Sequence, residues 1–189
     1  GYIGGDLFIT STLPMDRAVQ RRIESVPGVL AAAPQRYLEV EWRRTQQDRE
    51  QLSFMGFEPV SHSLVTSFLF SEDTADSQQA MNLIAEGNHI FVSSVISEKF
   101  GVQPGSRMNL ITRKGEKEFT VAAVVVDYYN EGMVISGSWT DMKRYFYEDT
   151  ATVFLVKTEP DFQPSAVADE IDDRYGKRDK LLVNSNDRM

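Results

Sequence analysis

The segment FTVAAVVV, from Phe119 to Val126, limits the folds open to this chain more than any other stretch. Its β-branched residues favour a strand, and successive side chains of a strand point to opposite faces. Because apolar side chains occupy both faces, such a strand must be covered on both sides. We therefore predict that Val124 and Val125 point to opposite faces of one strand and are both buried. The run is too short to cross a bilayer, which takes a helix of about 20 apolar residues.

The residues before this segment predict a partner for the strand. Gly101 is placed to end a short helix, and a Pro-Gly turn leads into the strand Arg107–Thr112. The turn RKGEK then separates that strand from Glu118–Asp127. Two strands joined by a short turn that contains glycine indicate a β-hairpin.

Strands and helices alternate along the rest of the chain, without an internal repeat or a low-complexity linker. The other predicted strands are Asp6–Thr12, Val29–Arg43, Gln51–Phe57, His89–Ser93, Ala151–Thr158 and Lys180–Asn184. The predicted helices are one with Pro14 in its first turn that stops at Pro27-Gly28, Ser77–Glu86, Ser94–Phe100, one capped by Ser138 and running to Tyr147, and one from Pro164 to Tyr175. The strands on either side of the polar turn RTQQDRE are predicted to form a second hairpin.

Charge and cysteine content exclude several classes of function. The net charge is −8 at pH 7 and the isoelectric point is near 4.8. This balance argues against a nucleic-acid partner, which needs clustered Lys and Arg, and disfavours anionic lipid headgroups. The sequence contains no cysteine, so thiolate catalysis, disulfides and cysteine zinc sites are excluded. The absence of cysteine fits the cytoplasm and the bacterial envelope equally.

The sequence offers no recognisable catalytic or metal-binding motif. Nucleophile-elbow, zinc-protease, dinucleotide-binding and phosphate-loop patterns are all missing. The two histidines, His62 and His89, stand in unrelated contexts, and we predict a loop histidine and a strand-edge histidine in place of a metal site. A Ser-His-Asp triad stays open, since its members can be distant in sequence, although nothing points to one. We predict no catalytic, cofactor-binding or metal-binding residue, and no cofactor.

Two further clusters of side chains have a structural interpretation. One is acidic and lies on the last predicted helix, where we expect a solvated face opposite Ala166, Val167 and Ile171. Its members are Asp169, Glu170, Asp172 and Asp173. The other cluster is aromatic, and we predict that it belongs to the core of a helix packed on a sheet and does not line a pocket. Its members are Trp139, Tyr145, Phe146 and Tyr147.

One long pattern resembles a known family. HIFVSSVISEKFGVQPGSRMNLITRKGEKEFTVAAVVVDY is similar to the MacB-like periplasmic core domain of FtsX-type ABC-transporter permeases. The shared features are a strand, a short helix ending in Phe-Gly-Val, a Pro-Gly turn and a hairpin whose second strand runs apolar into Asp. The opening GGDLFITS, the helix ending SVPGV and the closing order of strand, acidic helix and strand also resemble this family. The stretch DYYNEGMVISGSW does not indicate one substrate branch of it.

The resemblance implies an α+β fold made of two lobes. A porter-like lobe with a ferredoxin-like split βαβ arrangement would be built from both chain ends, residues 1–59 and 150–189. A mixed α/β, Sabre-like lobe, residues 60–149, would be inserted between them. Within the porter-like lobe, the final strand is expected to lie antiparallel beside the first, so that the two ends meet.

The resemblance also implies a function without catalysis. The chain would be the extracytoplasmic domain, periplasmic or extracellular, of a cell-membrane permease. It would relay ATPase-driven motion to a substrate or to a partner protein outside the membrane. The implied partners are flanking transmembrane helices of the same permease chain, a cytoplasmic ABC ATPase, a second permease in a dimer and that outer protein. Nucleic acid is not among them.

Two other functions remain open at the level of sequence. A stand-alone extracytoplasmic ligand-binding or sensor domain would need a deep pocket with converging polar groups. An envelope hydrolase would need a nucleophile, a base and an orienting group within hydrogen-bond reach. The chain begins at Gly1 and stops at NSNDRM, and we expect that both ends continue into a longer protein.

Overall fold

A computed structural model describes residues 5–188 of the chain. These residues form two compact units. The terminal unit contains residues up to Arg36, residues 60–67 and the chain from Asp149 onward, and the central unit contains residues 37–59 and 68–148. The strands are β1 (Leu7–Met15), β2 (Val29–Arg43), β3 (Arg49–Phe57), β4 (His89–Ser93), β5 (Arg107–Thr112), β6 (Gly115–Val125), β7 (Val134–Ser138), β8 (Ala151–Thr158) and β9 (Leu181–Ser185). The α-helices are α1 (Arg17–Glu24), α2 (Pro59–Val65), α3 (Ser77–Glu86), α4 (Ser94–Phe100), α5 (Trp139–Phe146) and α6 (Pro164–Ile171).

The terminal unit has the strand order of a ferredoxin-like fold. Its strands lie in the order β9-β1-β8-β2, and each neighbouring pair is antiparallel. Helix α1 connects β1 to β2, and α6 connects β8 to β9, so two β-α-β halves interleave. Leu7 lies opposite Ser185 and Phe8 opposite Asn184. The prediction that the last strand lies antiparallel beside the first is confirmed.

Helix α1 is explained by its sequence. Asp16 caps it by accepting hydrogen bonds from the backbone amides of Ala18 and Val19. Val19 and Ile23 are buried on one face of α1, as the helical spacing predicts. Met15 and Val26 are also buried, but they lie outside the helix, Met15 at the end of β1 and Val26 after the C-cap. Pro14 was expected in the first turn of this helix, and that prediction is wrong. Pro14 belongs to β1, whose pairing with β8 shifts register between Thr10 and Met15 and so accommodates an imino acid without an amide donor.

The strands of the central unit pair in a closed ring. Among the described residues, the order is β3-β7-β4-β6-β5 followed by the second half of β2, and β2 pairs again with β3. Both predicted hairpins, β2–β3 and β5–β6, are present. Val124 and Val125 are 8% and 2% exposed, as predicted. A cluster of rings fills part of the core, with Phe68 lying 4.9 Å from Phe57 and 5.0 Å from Phe91 between ring centroids.

The two units divide the chain at positions that differ from the predicted boundaries. Residues 37–59 join the central unit because the second half of β2 pairs with β5, and β3 pairs in parallel with β7. Residues 60–67 join the terminal unit because Val65 of α2 packs with Ala31, Ala33 and Leu155. These are tertiary pairings that local sequence does not encode. The porter-like and Sabre-like identities of the units stay predictions.

Candidate functional site: the joined chain ends and an exposed tyrosine loop

Hydrogen bonds around Asp6 join the two ends of the described chain. The Asp6 amide donates to the Val156 carbonyl at 2.7 Å, and the Asn186 amide donates to the Asp6 carbonyl at 2.9 Å. The Asp6 carboxylate accepts from the backbone amide of Thr158 at 2.9 Å and from its hydroxyl at 3.0 Å. Asn186 also donates its side-chain amide to the carbonyl oxygen of Gly5 at 2.6 Å. One acidic residue thereby connects β1, β8 and the end of β9.

Strand β1 lies between two hydrogen-bonded neighbours. It forms antiparallel ladders with both β8 and β9. Many backbone bonds must shear together before such a strand moves. The hydrogen bonds of Asp6 also resist fraying, which is otherwise usual at chain termini. Hydrogen bonds therefore hold both ends of the described chain to the sheet of the terminal unit.

The two histidines lie in different units and in different environments. His62 was predicted in a loop, but it lies in α2 and is 3% exposed. Burial lowers the pKa of His62 to about 4, so the ring is neutral near pH 7. His89 begins β4, with its Nδ1 atom 2.8 Å from the Gly87 carbonyl oxygen. Within residues 5–188, no group of three or more His, Asp or Glu is placed to hold a metal ion.

The acidic cluster of the last helix is largely solvated. Asp169, Asp172 and Asp173 are exposed, while Val167 and Ile171 are buried. Glu170 forms an i,i+4 ion pair with Arg174 at 2.7 Å. The predicted solvated face is confirmed, with the difference that Ala168 is buried on the apolar face and Ala166 is exposed. The helix ends at Ile171, before the predicted Tyr175, and a π-helical turn follows.

Three of the four aromatic residues around α5 belong to the core, as predicted. Trp139, Tyr145 and Phe146 are each buried. Tyr147 is 57% exposed, which corrects the prediction for that residue. It caps the C-terminus of α5 with φ of 57°, and this left-handed conformation directs the chain out of the helix.

The N-terminus of α5 contains a buried carboxylate, Asp141, which the sequence predicts as the partner of Ser138 in a capping box. Ser138 accepts a hydrogen bond from the Asp141 amide at 3.0 Å, as a capping residue should. The Asp141 side chain does not reach back to Ser138 but accepts from the Asn88 amide at 2.7 Å. Burial raises the pKa of Asp141, and the hydrogen bond from Asn88 opposes that shift. The carboxylate thus ties α5 to the start of β4.

An exposed loop of the central unit, here called the tyrosine loop, covers Asp127 to Gly132. Tyr128 is 69% exposed and Tyr129 is 46% exposed, and the Tyr129 ring stacks on Tyr37 with centroids 4.0 Å apart. Burial and the nearby Asp127 raise the pKa of Tyr37. Exposed aromatic rings on a rigid base are typical of interaction surfaces.

The backbone of the tyrosine loop is held in an uncommon conformation. Asn130, Glu131 and Gly132 have φ values of 52°, 58° and 86°, all in the left-handed region. Ser93 donates a short hydrogen bond to the Gly132 carbonyl, and the Asn130 side chain donates to the Ser53 hydroxyl at 3.2 Å. Strained backbone of this kind persists only where its surroundings fix it, and it clusters at functional positions.

No helix in the described part of the chain is long and apolar enough to cross a membrane.

Comparison with known proteins identifies a family. The profile of the family described as MacB-like periplasmic core domain matches residues 3–174. No curated protein sequence gives a significant match.

Two solved structures have similar folds over nearly the whole chain. The extracellular domain of the noncanonic ABC-type transporter YknZ from Gram-positive bacteria is 13% identical with a TM-score of 0.69, and the match covers 96% of this chain and 100% of that one. The periplasmic region of MacB from Actinobacillus actinomycetemcomitans is 9% identical with a TM-score of 0.69, over 97% of this chain and 90% of that one. At these identities the likeness concerns the fold.

Proposed function

Because the chain belongs to the family of MacB-like periplasmic core domains, we propose that it relays ATPase-driven motion on the extracytoplasmic side of an ABC-transporter permease. The domain would catalyse nothing itself. It would pass displacement from the membrane to a substrate or a partner protein outside. The observation that carries this proposal is the junction of the two chain ends through Asp6 and Asn186.

The junction is what we expect of a domain that is connected at both ends to membrane helices. The start of β1 and the end of β9 lie side by side at the same end of the sheet, because these two strands are adjacent and antiparallel. Neighbouring strands lie about 4.8 Å apart and packed helices about 8–10 Å apart. Two transmembrane helices of the same permease chain would therefore continue from these ends with little rearrangement. Their displacement would act on β1 and β9 together.

The remaining partners follow from the same proposal. A cytoplasmic ABC ATPase would supply the motion, and a second permease would complete a dimer. In this assignment, the terminal unit is the porter-like lobe and the central unit is the Sabre-like lobe. The tyrosine loop, with Tyr128 and Tyr129 exposed, is the surface of the central unit that we assign to an outer partner protein.

Two experiments test this function. The first is to read the coding sequence on both sides of the chain, where the proposal requires apolar runs of about 18 residues or more. The second is to label a single cysteine on intact cells. The chain has no native cysteine, so Gln46→Cys, in the exposed turn between β2 and β3, gives a unique thiol in this domain.

The outcomes of the labelling experiment are distinct. A membrane-impermeant maleimide should modify the Gln46→Cys permease on intact spheroplasts. The same reagent should not modify a cysteine placed in the ATPase until the cells are lysed. Labelling of Gln46→Cys only after lysis would place the domain in the cytoplasm and overturn the proposal.

A further inference from the structure

Three cations and one tyrosine lie at one end of the central unit and are here called the basic patch. Arg113 and Lys114 lie in the β5–β6 turn, and Arg144 and Tyr147 lie at the end of α5. The backbone amide of Arg113 donates to the Tyr145 carbonyl at 2.9 Å, which joins the turn to the helix end. The three cations are exposed. The patch is thus a fixed surface made from two elements that are distant in sequence.

None of the three cations of the patch, Arg113, Lys114 and Arg144, forms an ion pair with a carboxylate in the described part of the chain. The acidic residues of the neighbouring strand pair elsewhere: Glu116 with Arg43 at 3.5 Å and Glu118 with Arg107 at 3.7 Å.

Two acidic residues lie close along the chain to the α5 side of the patch. Asp141 is buried, accepts a hydrogen bond from the Asn88 amide and interacts electrostatically with Arg144, so it balances part of the charge of that residue. Glu148, next to Tyr147, is half-buried. Arg113 and Lys114 therefore keep exposed positive charge on a chain whose net charge is −8.

Tyr147 gives the patch an aromatic centre. Its ring lies 5.5 Å from the Arg113 guanidinium carbon, in a cation–π arrangement, and the Arg144 guanidinium lies 5.8 Å from the Tyr145 ring. Such contacts orient the guanidinium groups at a modest gain in free energy. Tyrosine and arginine are enriched among the residues that contribute most of the binding energy at protein interfaces. Tyr147 adopts a left-handed backbone conformation as the C-cap of α5, which fixes its position beside the β5–β6 turn.

From this geometry we infer that the basic patch binds an acidic, aromatic-bearing segment of a partner polypeptide. Carboxylates of the segment pair with Arg113, Lys114 and Arg144, since the planar guanidinium fork matches a carboxylate. An apolar side chain of the segment packs on Tyr147. The bound class is a polypeptide and not a membrane, because a flat anionic bilayer would also meet the exposed carboxylates of Glu116 and Glu118 on the neighbouring strand β6. A narrow segment meets only the patch, and charges beyond about 10 Å are screened.

The test is a binding titration with the purified chain. A fluorescein-labelled peptide of alternating glutamate and phenylalanine is followed by anisotropy at about 0.1 M salt, where charges beyond about 10 Å are screened. Binding should be saturable, and Arg113→Ala or Arg144→Ala should weaken it about tenfold, the loss expected for one charge-assisted contact. Tyr147→Gly should also weaken it, since glycine keeps the left-handed backbone and removes the ring. Arg178→Ala, at an exposed cation of the terminal unit, is the matched control and should bind like the wild type.

Three results would contradict the inference. If Arg113→Ala and Arg178→Ala weakened peptide binding equally, the binding would be nonspecific attraction between charges. An absence of saturable binding to the peptide would overturn the inference directly. Binding to phosphatidylglycerol vesicles but not to the peptide would assign the patch to the membrane instead. The titration uses the isolated chain, so it fails or succeeds independently of the cell-labelling test of the proposed function.

Discussion

The side-chain amide of Asn186 donates a hydrogen bond to the carbonyl oxygen of Gly5 across 2.6 Å. This contact joins residues from opposite ends of the described chain, and it lies beside the hydrogen bonds of Asp6 to Thr158. A domain that passes motion from two membrane helices to its own sheet needs its ends fixed in this way.

Removing the Asp6 carboxylate should destabilise the terminal unit. Asp6→Ala leaves the Thr158 amide without its acceptor, and we expect a loss of about 1–3 kcal/mol in the free energy of unfolding. Urea denaturation measures the loss. Asp161→Ala is the matched control, because Asp161 is exposed, and its stability should change by less than about 0.5 kcal/mol. Equal stability of the Asp6 and Asp161 variants would contradict the role of Asp6.

A charge on either face of β6 should prevent normal folding. Val124→Asp or Val125→Asp buries a carboxylate and should cost several kcal/mol. Val60→Asp makes the same chemical change at a valine that is 78% exposed and should be nearly neutral. Thermal unfolding compares the three proteins. A soluble, cooperatively folded Val124 or Val125 variant with the wild-type melting temperature would show that β6 is not covered on both faces.

The tyrosine loop should not tolerate a side chain at Gly132. A Cβ atom there would overlap the side chain of Val95. Gly105 has a similar φ, 91° against 86°, but open space around it. Gly105→Ala should therefore lose about 1–2 kcal/mol from backbone strain alone, and Gly132→Ala about 1–3 kcal/mol more from overpacking. Denaturant midpoints measure the difference, and equal losses would contradict the close contact with Val95.

Stability should fall in mild acid because of His62. The pKa of this residue is about 4 in the folded protein and 6.5 when unperturbed. Between these values His62 is protonated in the unfolded chain and neutral in the folded chain. The contribution of neutral, buried His62 to the free energy of unfolding is therefore fully present above pH 6.5, and it decreases as the pH falls toward 4. The loss at pH 5 should be about 2 kcal/mol relative to pH 7.

The variant His62→Gln separates this effect from the carboxylates, whose titration both proteins share. Its stability should change less between pH 7 and pH 5 than that of the wild type. Should the variant fold poorly, NMR titration of the His62 ring in the wild type gives its pKa directly. A ring that titrates near 6.5 in the folded protein would contradict the burial of His62.

Helices α4 and α5 and strand β4 could be predicted from local sequence, because capping residues and an apolar run mark their bounds. Ser93 and Ser138 cap α4 and α5 by accepting amides three residues on, and the bounds of β4 follow from an apolar run between helices. The family resemblance supplied the arrangement of the terminal unit, in which β1 and β9 meet. A pattern of interleaved β-α-β halves constrains which strands become neighbours.

The features that the sequence did not predict depend on distant partners. Strand β7 is short and follows three left-handed residues, and its parallel pairing of Ser53 with Val134 is non-local. The role of Asp141 depends on Asn88, which lies 53 positions away. Tyr147 was assigned to the core because its neighbours are aromatic, whereas its backbone conformation ends the helix. The basic patch arises only where the β5–β6 turn touches α5.

The central claim is that ATP-driven motion of the membrane part moves this domain. The most direct measurement is the distance between spin labels on Lys177→Cys, an exposed position of the terminal unit, in the two subunits of the full-length permease dimer. The permease is reconstituted with its ATPase in lipid nanodiscs, without nucleotide and with ATP trapped by vanadate. The account predicts that the distance distribution shifts between the two states. Identical distributions in both states, with ATP hydrolysis intact, would contradict it.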